Sequence, residues 1–104
     1  MNRCEVRDYG YGTGPFEWLG ISKIQLTGEK YKGEVELSFE VRVDSNNTKY
    51  TRYVVSIYIS NCCAMLTDGY DNLDDAEYAY KRRVEFVRKI VRPTKEIEGF
   101  EEAA

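Results

Sequence analysis

The residue types that most often carry catalysis are scarce in this chain of 104 residues. Histidine is absent, which removes the serine–histidine and cysteine–histidine pairs that activate a nucleophile and the commonest base at neutral pH. Catalysis would have to rely on cysteine, lysine, tyrosine or carboxylates alone, and no spacing among these residues suggests such a site. We therefore predict a protein that is not an enzyme and uses no cofactor.

The three cysteines, Cys4, Cys62 and Cys63, are the candidates for metal or redox chemistry. A structural zinc site takes four ligands, and without histidine the three thiols would need an unusual carboxylate as the fourth. A disulfide between the adjacent Cys62 and Cys63 would be strained. An odd cysteine count is also not typical of a disulfide-stabilised secreted domain. We expect reduced thiols, a cytoplasmic location and no metal.

Glycines alternate with other residues over positions 10–14, which gives a superficial likeness to a phosphate-binding loop. A P-loop ends in lysine followed by serine or threonine, and both it and the Rossmann fingerprint lead into a helix. Neither condition is met. Aromatic residues surround the segment, and aromatics on a pliable loop are frequent binding anchors. The partner-binding residues predicted here are Tyr9, Tyr11, Phe16 and Trp18. For Trp18 a place in the core is the alternative.

Acidic residues cluster further along the chain, at Asp68, Asp71, Asp74, Asp75 and Glu77. An EF-hand loop needs carboxylates at fixed steps around an invariant glycine, and this spacing does not fit. Turn and helix-cap chemistry explains most of the cluster. The sharper hypothesis is an acidic patch that faces a basic surface of a partner, even one that normally holds nucleic acid. The partner-binding residues predicted in this region are Asp68, Tyr70, Asp71 and Asp75.

Six cations and one acid occupy residues 81–92. A solvated helix face is the ordinary explanation, and phosphate contact is the alternative, in which binding would depend on salt and hardly on sequence. Tyr50 and Tyr58 would then offer stacking platforms on an open sheet face. The nucleic-acid-binding residues of this alternative are Lys81, Arg82, Arg88, Lys89 and Arg92.

Strict alternation of apolar and polar residues is the strongest structural pattern in the chain, and it covers residues 34–43. A second alternating segment covers residues 49–60. Alternation with period two indicates a strand with one buried and one solvated face. The two segments are separated by a short polar connection, so they predict a β-hairpin.

The register of this hairpin follows from counting outward from the loop at 44–48. Phe39 then lies opposite Tyr53 on the apolar face, and Glu40 lies opposite Arg52 on the polar face. Apolar pairs on one side and an opposite-charge pair on the other are mutually consistent. A slip by one residue would bury charges, so this register is favoured.

A helix is predicted over about residues 75–91. Asp74 is the expected N-cap, with Glu77 at the spacing of a capping box. Pro93 follows the predicted C-terminal end. Apolar residues recur at three- and four-residue steps and should pack on the sheet. They are Ala76, Ala79, Tyr80, Val84, Val87, Ile90 and Val91.

The remaining segments carry weaker signals. Residues 21–27 are predicted to form a strand, and residues 3–8 fit a short edge strand. Residues 61–73 show no periodic pattern and are predicted to be a linker.

Together these elements predict an α+β fold: an antiparallel β-sheet of three to four strands, with the 34–43/49–60 hairpin at its centre, packed against one long C-terminal α-helix. The folded domain should cover residues 1–93. Residues 94–104 should form an acidic C-terminal tail, which is frayed or disordered unless Ile97 and Phe100 dock on the domain.

Composition narrows the class of protein further. The net charge is −3, with 42% hydrophobic and 32% charged residues, which is typical of a small globular domain. The net negative charge of the protein as a whole does not favour binding to nucleic acid, although a local basic patch could still bind it. No long apolar run is present, so no membrane-spanning helix is expected.

Three hypotheses about function remain. The first is a small non-catalytic protein-interaction module that docks on a larger host protein or protein–nucleic-acid complex and modulates or inhibits it, as a viral (phage) or mobile-element inhibitor of a nucleic-acid-handling or defence complex would. The second is a nucleic-acid-binding module that uses the basic helix face. The third is a structural subunit of a homo-oligomer, in which Val54 and Tyr58 are exposed beside an unpaired sheet edge. A monomer and a homodimer are both compatible with the sequence.

Overall fold

The structure, a computed structural model, describes residues 3–8, 15–60 and 64–100. The elements in these ranges are β1 Arg3–Asp8, β2 Pro15–Thr27, β3 Lys32–Val43, β4 Lys49–Ile59, β5 Ala64–Tyr70, α1 Leu73–Val91 and β6 Lys95–Glu98. The predicted α+β fold, an antiparallel sheet with one C-terminal helix, is confirmed. The sheet is larger than the predicted three to four strands because β5 and β6 also join it.

Strands β1 to β5 form an antiparallel meander in which each strand pairs with its neighbour in sequence. One edge of β2 pairs with β3, with a register shift between Gly20 and Ser22. The other edge of β2 holds two strands in tandem, since β1 pairs with residues 15–20 and β6 with residues 24–27. The sheet therefore ends in β5 on one side and in β1 and β6 on the other.

The predicted register of the β3–β4 hairpin is confirmed. Phe39 lies opposite Tyr53, with ring centroids 5.2 Å apart. On the other face the Nε of Arg52 donates a hydrogen bond to Glu40 at 3.0 Å. At the loop, Asn47 has a φ of 64°, in the left-handed region that asparagine tolerates better than most residues.

The helix begins earlier than the sequence predicts, and Asp74 is not its N-cap. Asn72 is the N-cap, and its side chain accepts a hydrogen bond from the backbone nitrogen of Asp75 at 2.9 Å. Asparagine and aspartate cap equally well, so cap chemistry alone does not choose between the two positions. The earlier start brings Leu73 into contact with the core.

The main core lies between α1 and the sheet. Its strand residues are Ile24, Leu26, Val35, Leu37, Val55, Ile57 and Ile59, and its helix residues are Ala76, Val84, Val87 and Val91. The helix approaches β3 so closely that a Cβ on Gly33 would overlap the Cγ1 of Val87. Ile90 was expected in the buried stripe but is 36% exposed, because it lies on the flank of the helix rather than on its underside.

A second buried cluster lies on the sheet face opposite the helix. Trp18 and Val54 are only 3% and 2% exposed, and by register they share this face with Gly20. The ring of Phe100 lies over Gly20 and meets Trp18 edge to face, with centroids 5.7 Å apart. The prediction that Val54 is exposed is therefore wrong, since alternation identifies a face but not whether that face is covered.

Two segments that lack a sequence pattern are strands. The described part of the predicted 61–73 linker contains β5, which pairs with β4 along its whole length, so the linker prediction is wrong there. Within the predicted 94–104 tail, β6 pairs with β2. Arg88 holds β6 to the helix by donating to both carboxylate oxygens of Glu96, at 2.9 and 2.8 Å.

Candidate protein-docking surface

The outer edge of β5 is an open sheet edge. No strand in residues 3–8, 15–60 and 64–100 pairs with β5 on the side away from β4. An edge strand presents unpaired backbone donors and acceptors, which proteins usually protect with charges, proline or short length. β5 has seven residues, no lysine or proline, and one charged residue, Asp68. By contrast, four of the six residues of β1 and three of the four in β6 are charged.

The single charge on β5 is neutralised by the helix. The guanidinium of Arg83 donates a hydrogen bond to Asp68 at 2.6 Å, and each side chain is 34% exposed. This ion pair fixes one flank of α1 beside β5. Arg88 reaches β6 on the opposite flank of the helix through Glu96. The pairing of Asp68 removes the one charge that would discourage another strand from adding to β5.

Apolar side chains continue along the same flank of the helix. Residues three and four apart share one side of a helix: Ala79 is four residues before Arg83, Phe86 is three after it, and Ile90 is four after Phe86. Phe86 is 49% exposed and Ile90 is 36% exposed. On β5, Leu66 lies opposite the buried Ile57, on the helix side of the sheet, and is 44% exposed. We call the outer edge of β5 with Leu66, Phe86 and Ile90 the β5 rim.

A cleft of about 370 Å³ extends this surface toward the N-terminal end of the helix. It lies between Tyr70 at the end of β5 and Tyr78 and Ala79 on α1. Arg82 lies over the Tyr78 ring at 5.6 Å and donates a hydrogen bond to its hydroxyl at 3.3 Å. Tyr78 is 63% exposed, so this end of the surface offers an aromatic ring with a cation stacked on it.

The predicted partner-binding residues lie in different environments. Trp18 is buried against Phe100, as its alternative placement in the core anticipated. Asp68 is paired with Arg83, and Tyr70 is half-buried. Two further acids, Asp71 and Asp75, are exposed at the start of the helix. Tyr9 and Tyr11 lie outside the described residues, as does the Phe16 side chain.

The cations of the nucleic-acid alternative are not equivalent. Arg88 is engaged by Glu85 and Glu96, and its hydrogen bond is the main reason that the pKa of Glu96 lies below its ordinary value. Lys81 and Lys89 are exposed on the outer face of the helix. Arg92 is the C-cap residue, and Arg82 is the residue stacked on Tyr78. Of these five cations, Arg88 is the one that carboxylates of the described residues engage.

Tyr80 provides a titration test of the packing between α1 and β6. Burial, with a smaller contribution from Glu98 and opposed by Arg88, raises the pKa of Tyr80 from 10.0 to about 12. Its stabilising contribution is complete below pH 10 and is lost as the pH rises from about 10 to 12. A pKa difference of this size corresponds to about 2.7 kcal/mol, and solvent screening of this half-buried group reduces that to about 1 kcal/mol.

We therefore expect the Tyr80→Phe variant to lose less stability than the parent between pH 9 and 12, by about 1 kcal/mol. Denaturant unfolding at a series of pH values measures the difference. The other tyrosines are common to both proteins and cancel in the comparison. Parallel stability–pH curves for the two proteins would contradict the assigned environment of Tyr80.

Neither metal chemistry nor a membrane span is indicated by the described ranges. No three His, Cys, Asp or Glu side chains within them lie close enough together to hold a metal ion. No helix among these residues has the length and apolar character that crossing a membrane requires. No protein-family model matches the chain, and no curated protein or solved structure is detectably similar to it.

Sequence reasoning missed the β5 rim because it missed β5. Leu66 fell in the predicted linker, and Ile90 was placed in the buried stripe. The spacing of Phe86 and Ile90 from Arg83 was a usable signal, since it defines an apolar flank beside the core stripe. That signal indicates a surface only once a strand is known to lie next to it.

Proposed function

We propose that the chain is a non-catalytic protein-interaction module that docks on a larger protein through the β5 rim and modulates or inhibits it. The observation that carries the proposal is an open strand edge, whose single charged residue is ion-paired, lying beside exposed apolar side chains. An extended segment of the partner would add to β5 as a further antiparallel or parallel strand, which is a recurring mode of peptide recognition. Backbone hydrogen bonds would supply affinity, and side chains at alternate positions would supply specificity.

The helix flank defines which side chains the added strand needs. Every second side chain of that strand would point to the helix side of the sheet, where Leu66, Phe86 and Ile90 are exposed. These positions call for apolar residues. At the Tyr78 end of the surface, Arg82 has no carboxylate partner in the described residues and would suit an acidic or carbonyl group. The partner segment is thus an alternating strand with an acceptor at one end.

The class of partner is proposed more broadly as a larger host protein or protein–nucleic-acid complex. The segmented charge of the chain supports this part of the proposal: residues 61–80 carry only acids and residues 81–92 mostly bases. A protein with separate acidic and basic segments suits a charged partner surface. Inhibition of a host nucleic-acid-handling or defence complex by a phage or mobile-element protein is the specific form we propose.

Site-specific crosslinking in cells tests the docking site. We would place a photoreactive phenylalanine analogue at position 66 or, as a control of similar exposure on a different part of the surface, at position 50. The expected result is a discrete adduct with a larger protein at position 66 and none at position 50. The Phe86→Lys substitution should abolish that adduct, whereas Tyr50→Lys should leave it unchanged.

The same experiment separates the alternatives. An adduct with the mass of two copies of this chain would contradict docking on a larger protein and support a homo-oligomer. Adducts at position 50 alone would contradict the β5 rim. Recovery of nucleic acid together with loss of every adduct after nuclease treatment would support the nucleic-acid-binding module instead.

A further inference from the structure

A second cleft, which borders the β5 rim at Ile90, lies where the helix ends. Its volume is about 540 Å³, and it is formed by the β2–β3 turn, the last turn of α1 and the chain that follows the helix. We call it the helix-end cleft. The polar and aromatic residues that line it are Glu29, Lys30, Tyr31, Lys89, Arg92 and Thr94.

The walls of the helix-end cleft are fixed to one another. The turn is closed by a hydrogen bond from the backbone nitrogen of Gly28 to the Tyr31 carbonyl at 2.9 Å. Gly28 lies so close to the helix end that a Cβ there would overlap the carbonyl oxygen of Val91. On the other side, the backbone nitrogen of Thr94 donates to the Thr27 carbonyl at 2.8 Å. The cleft is therefore built on rigid elements.

Positive charge predominates in the helix-end cleft. Lys30 belongs to the β2–β3 turn, whereas Lys89 and Arg92 lie at the end of the helix, and the only acid among the residues lining the described cleft is Glu29. Lys89 and Arg92 pair with no carboxylate in the described part of the chain, although Arg88, one residue before Lys89, binds two. The charges of Lys89 and Arg92 exceed the partial negative charge at a helix C-terminus, which is about half an elementary charge.

The backbone at Arg92 gives independent support. Arg92 caps the helix in the left-handed conformation, with φ 49° and ψ 67°. Glycine occupies such positions at little cost, whereas a side chain with a Cβ is strained there. The cap hydrogen bond, from the Arg92 backbone nitrogen to the Arg88 carbonyl, needs no arginine side chain. Strained residues of this kind concentrate at binding sites.

We propose that the helix-end cleft binds a phosphate group. Lys89 and Arg92 contact the phosphate from the helix end, and Lys30 lies on the turn side of the same cleft. Arginine and lysine are the side chains that most often hold phosphate, arginine through paired donors and lysine as a point charge. The phosphate can belong to a small molecule or to a nucleic-acid backbone. The cations of this site lie outside the β5 rim, so either proposal can fail alone.

Nuclear magnetic resonance of the ¹⁵N-labelled full chain tests the site. Inorganic phosphate is titrated at fixed pH and ionic strength. We expect saturable shifts of the backbone amides of Lys30, Lys89, Arg92 and Thr94. The Arg92→Gly variant should raise the dissociation constant for phosphate about tenfold. It should also raise the melting temperature by roughly 5 °C, because it relieves the left-handed cap.

The matched control is Lys81→Gln, which removes an exposed cation of the same helix outside the cleft. Phosphate binding should be unchanged in this variant. Shifts that do not saturate, or an Arg92→Gly variant with the parent's affinity for phosphate, would overturn the proposal. Because this variant should be more stable than the parent, a loss of binding cannot be attributed to unfolding.

A second titration, with a single-stranded DNA oligonucleotide, identifies the source of the phosphate. For a small-molecule site, the oligonucleotide should bind no more tightly than inorganic phosphate, and Lys81→Gln should affect neither ligand. For a nucleic-acid site, the oligonucleotide should bind more tightly, lose affinity as salt is added and be weakened by Lys81→Gln. Oligonucleotide binding that is unaffected by Arg92→Gly would place nucleic acid elsewhere on the surface and contradict the nucleic-acid backbone as the source of the phosphate in the cleft.

Discussion

Replacing Gly33 by alanine is expected to destabilise the protein by about 2 kcal/mol, through overpacking between β3 and the helix. The added Cβ would overlap the Cγ1 of Val87 and lie 3.0 Å from the Cγ2 of Val91. Both valines are buried and 0% and 3% exposed, so neither can move away without disturbing the core. A domain of this size has only about 5–15 kcal/mol of stability. Urea unfolding should therefore show a lower midpoint with an unchanged slope.

The matched control is Gly69→Ala in β5. A Cβ there would lie 3.4 Å from the Cδ of Arg52, which is ordinary contact with a flexible side chain. This substitution should be neutral or stabilise the protein by about 0.5 kcal/mol. A double variant, Gly33→Ala with Val87→Ala, should lose less stability than the sum of the two single variants, because the smaller residue makes room for the Cβ. Strict additivity would show that the clash is not with Val87.

The Phe100→Ala substitution is expected to remove the anchor of the C-terminal strand and to expose the single tryptophan. Phe100 meets Trp18 edge to face and lies under the ammonium of Lys23, whose Nζ is 5.6 Å from the ring centroid. Truncation of a buried phenylalanine costs about 3–5 kcal/mol, and for this partly exposed ring we expect about 2 kcal/mol. The fluorescence of Trp18, which is 3% exposed, should shift to longer wavelength even under native conditions.

Ile97→Ala is the control for this second prediction. Ile97 lies within β6 itself but is 45% exposed, so its truncation should cost less than about 1 kcal/mol and leave the emission of Trp18 unchanged. Comparing the two variants separates the effect of truncating a side chain within β6 from the effect of removing the Phe100 ring that anchors the strand. An unshifted Trp18 emission in the Phe100→Ala variant would contradict the contact between the two rings.

The central hairpin could be predicted down to its residue pairs because two independent patterns agree there. The apolar alternation over residues 34–43 and 49–60 is satisfied by any pairing of the two strands that is shifted by an even number of residues. The opposite charges of Glu40 and Arg52 favour the one pairing in which these two residues face each other. The confirmed pairing shows that local sequence specifies structure where both faces of a strand carry information. The helix was predictable for the same reason, with only its first residues displaced.

β5 and β6 could not be predicted because their own sequences do not require a strand. β5 contains Gly69 and Asp68, which disfavour strands on average, and it gains its structure from β4 and from Arg83. β6 has four residues, all exposed, so it has no buried face to give a period. In both cases tertiary contacts outweigh local propensity.

The candidate site was predictable only in part for a related reason. Aromatic residues in a glycine-rich segment indicate binding anchors on average, yet Trp18 packs inside the protein. The exposed apolar residues that define the β5 rim, Leu66 and Phe86 among them, become a surface only when β5 is placed beside α1. Such a surface is a property of the assembled sheet, and no single segment of the sequence encodes it.

The edge of β2 that pairs with both β1 and β6 implies an order of events in folding. Each pairing from β1 to β5 closes a short loop, whereas the bond between Thr94 and Thr27 joins groups 67 residues apart. Closing a long loop costs more chain entropy and slows contact formation. The meander and α1 should therefore assemble first, with β6 docking onto an edge that already exists. Until β6 docks, residues 24–27 of β2 form an open sheet edge. Aggregation during refolding should depend on how long this open edge persists.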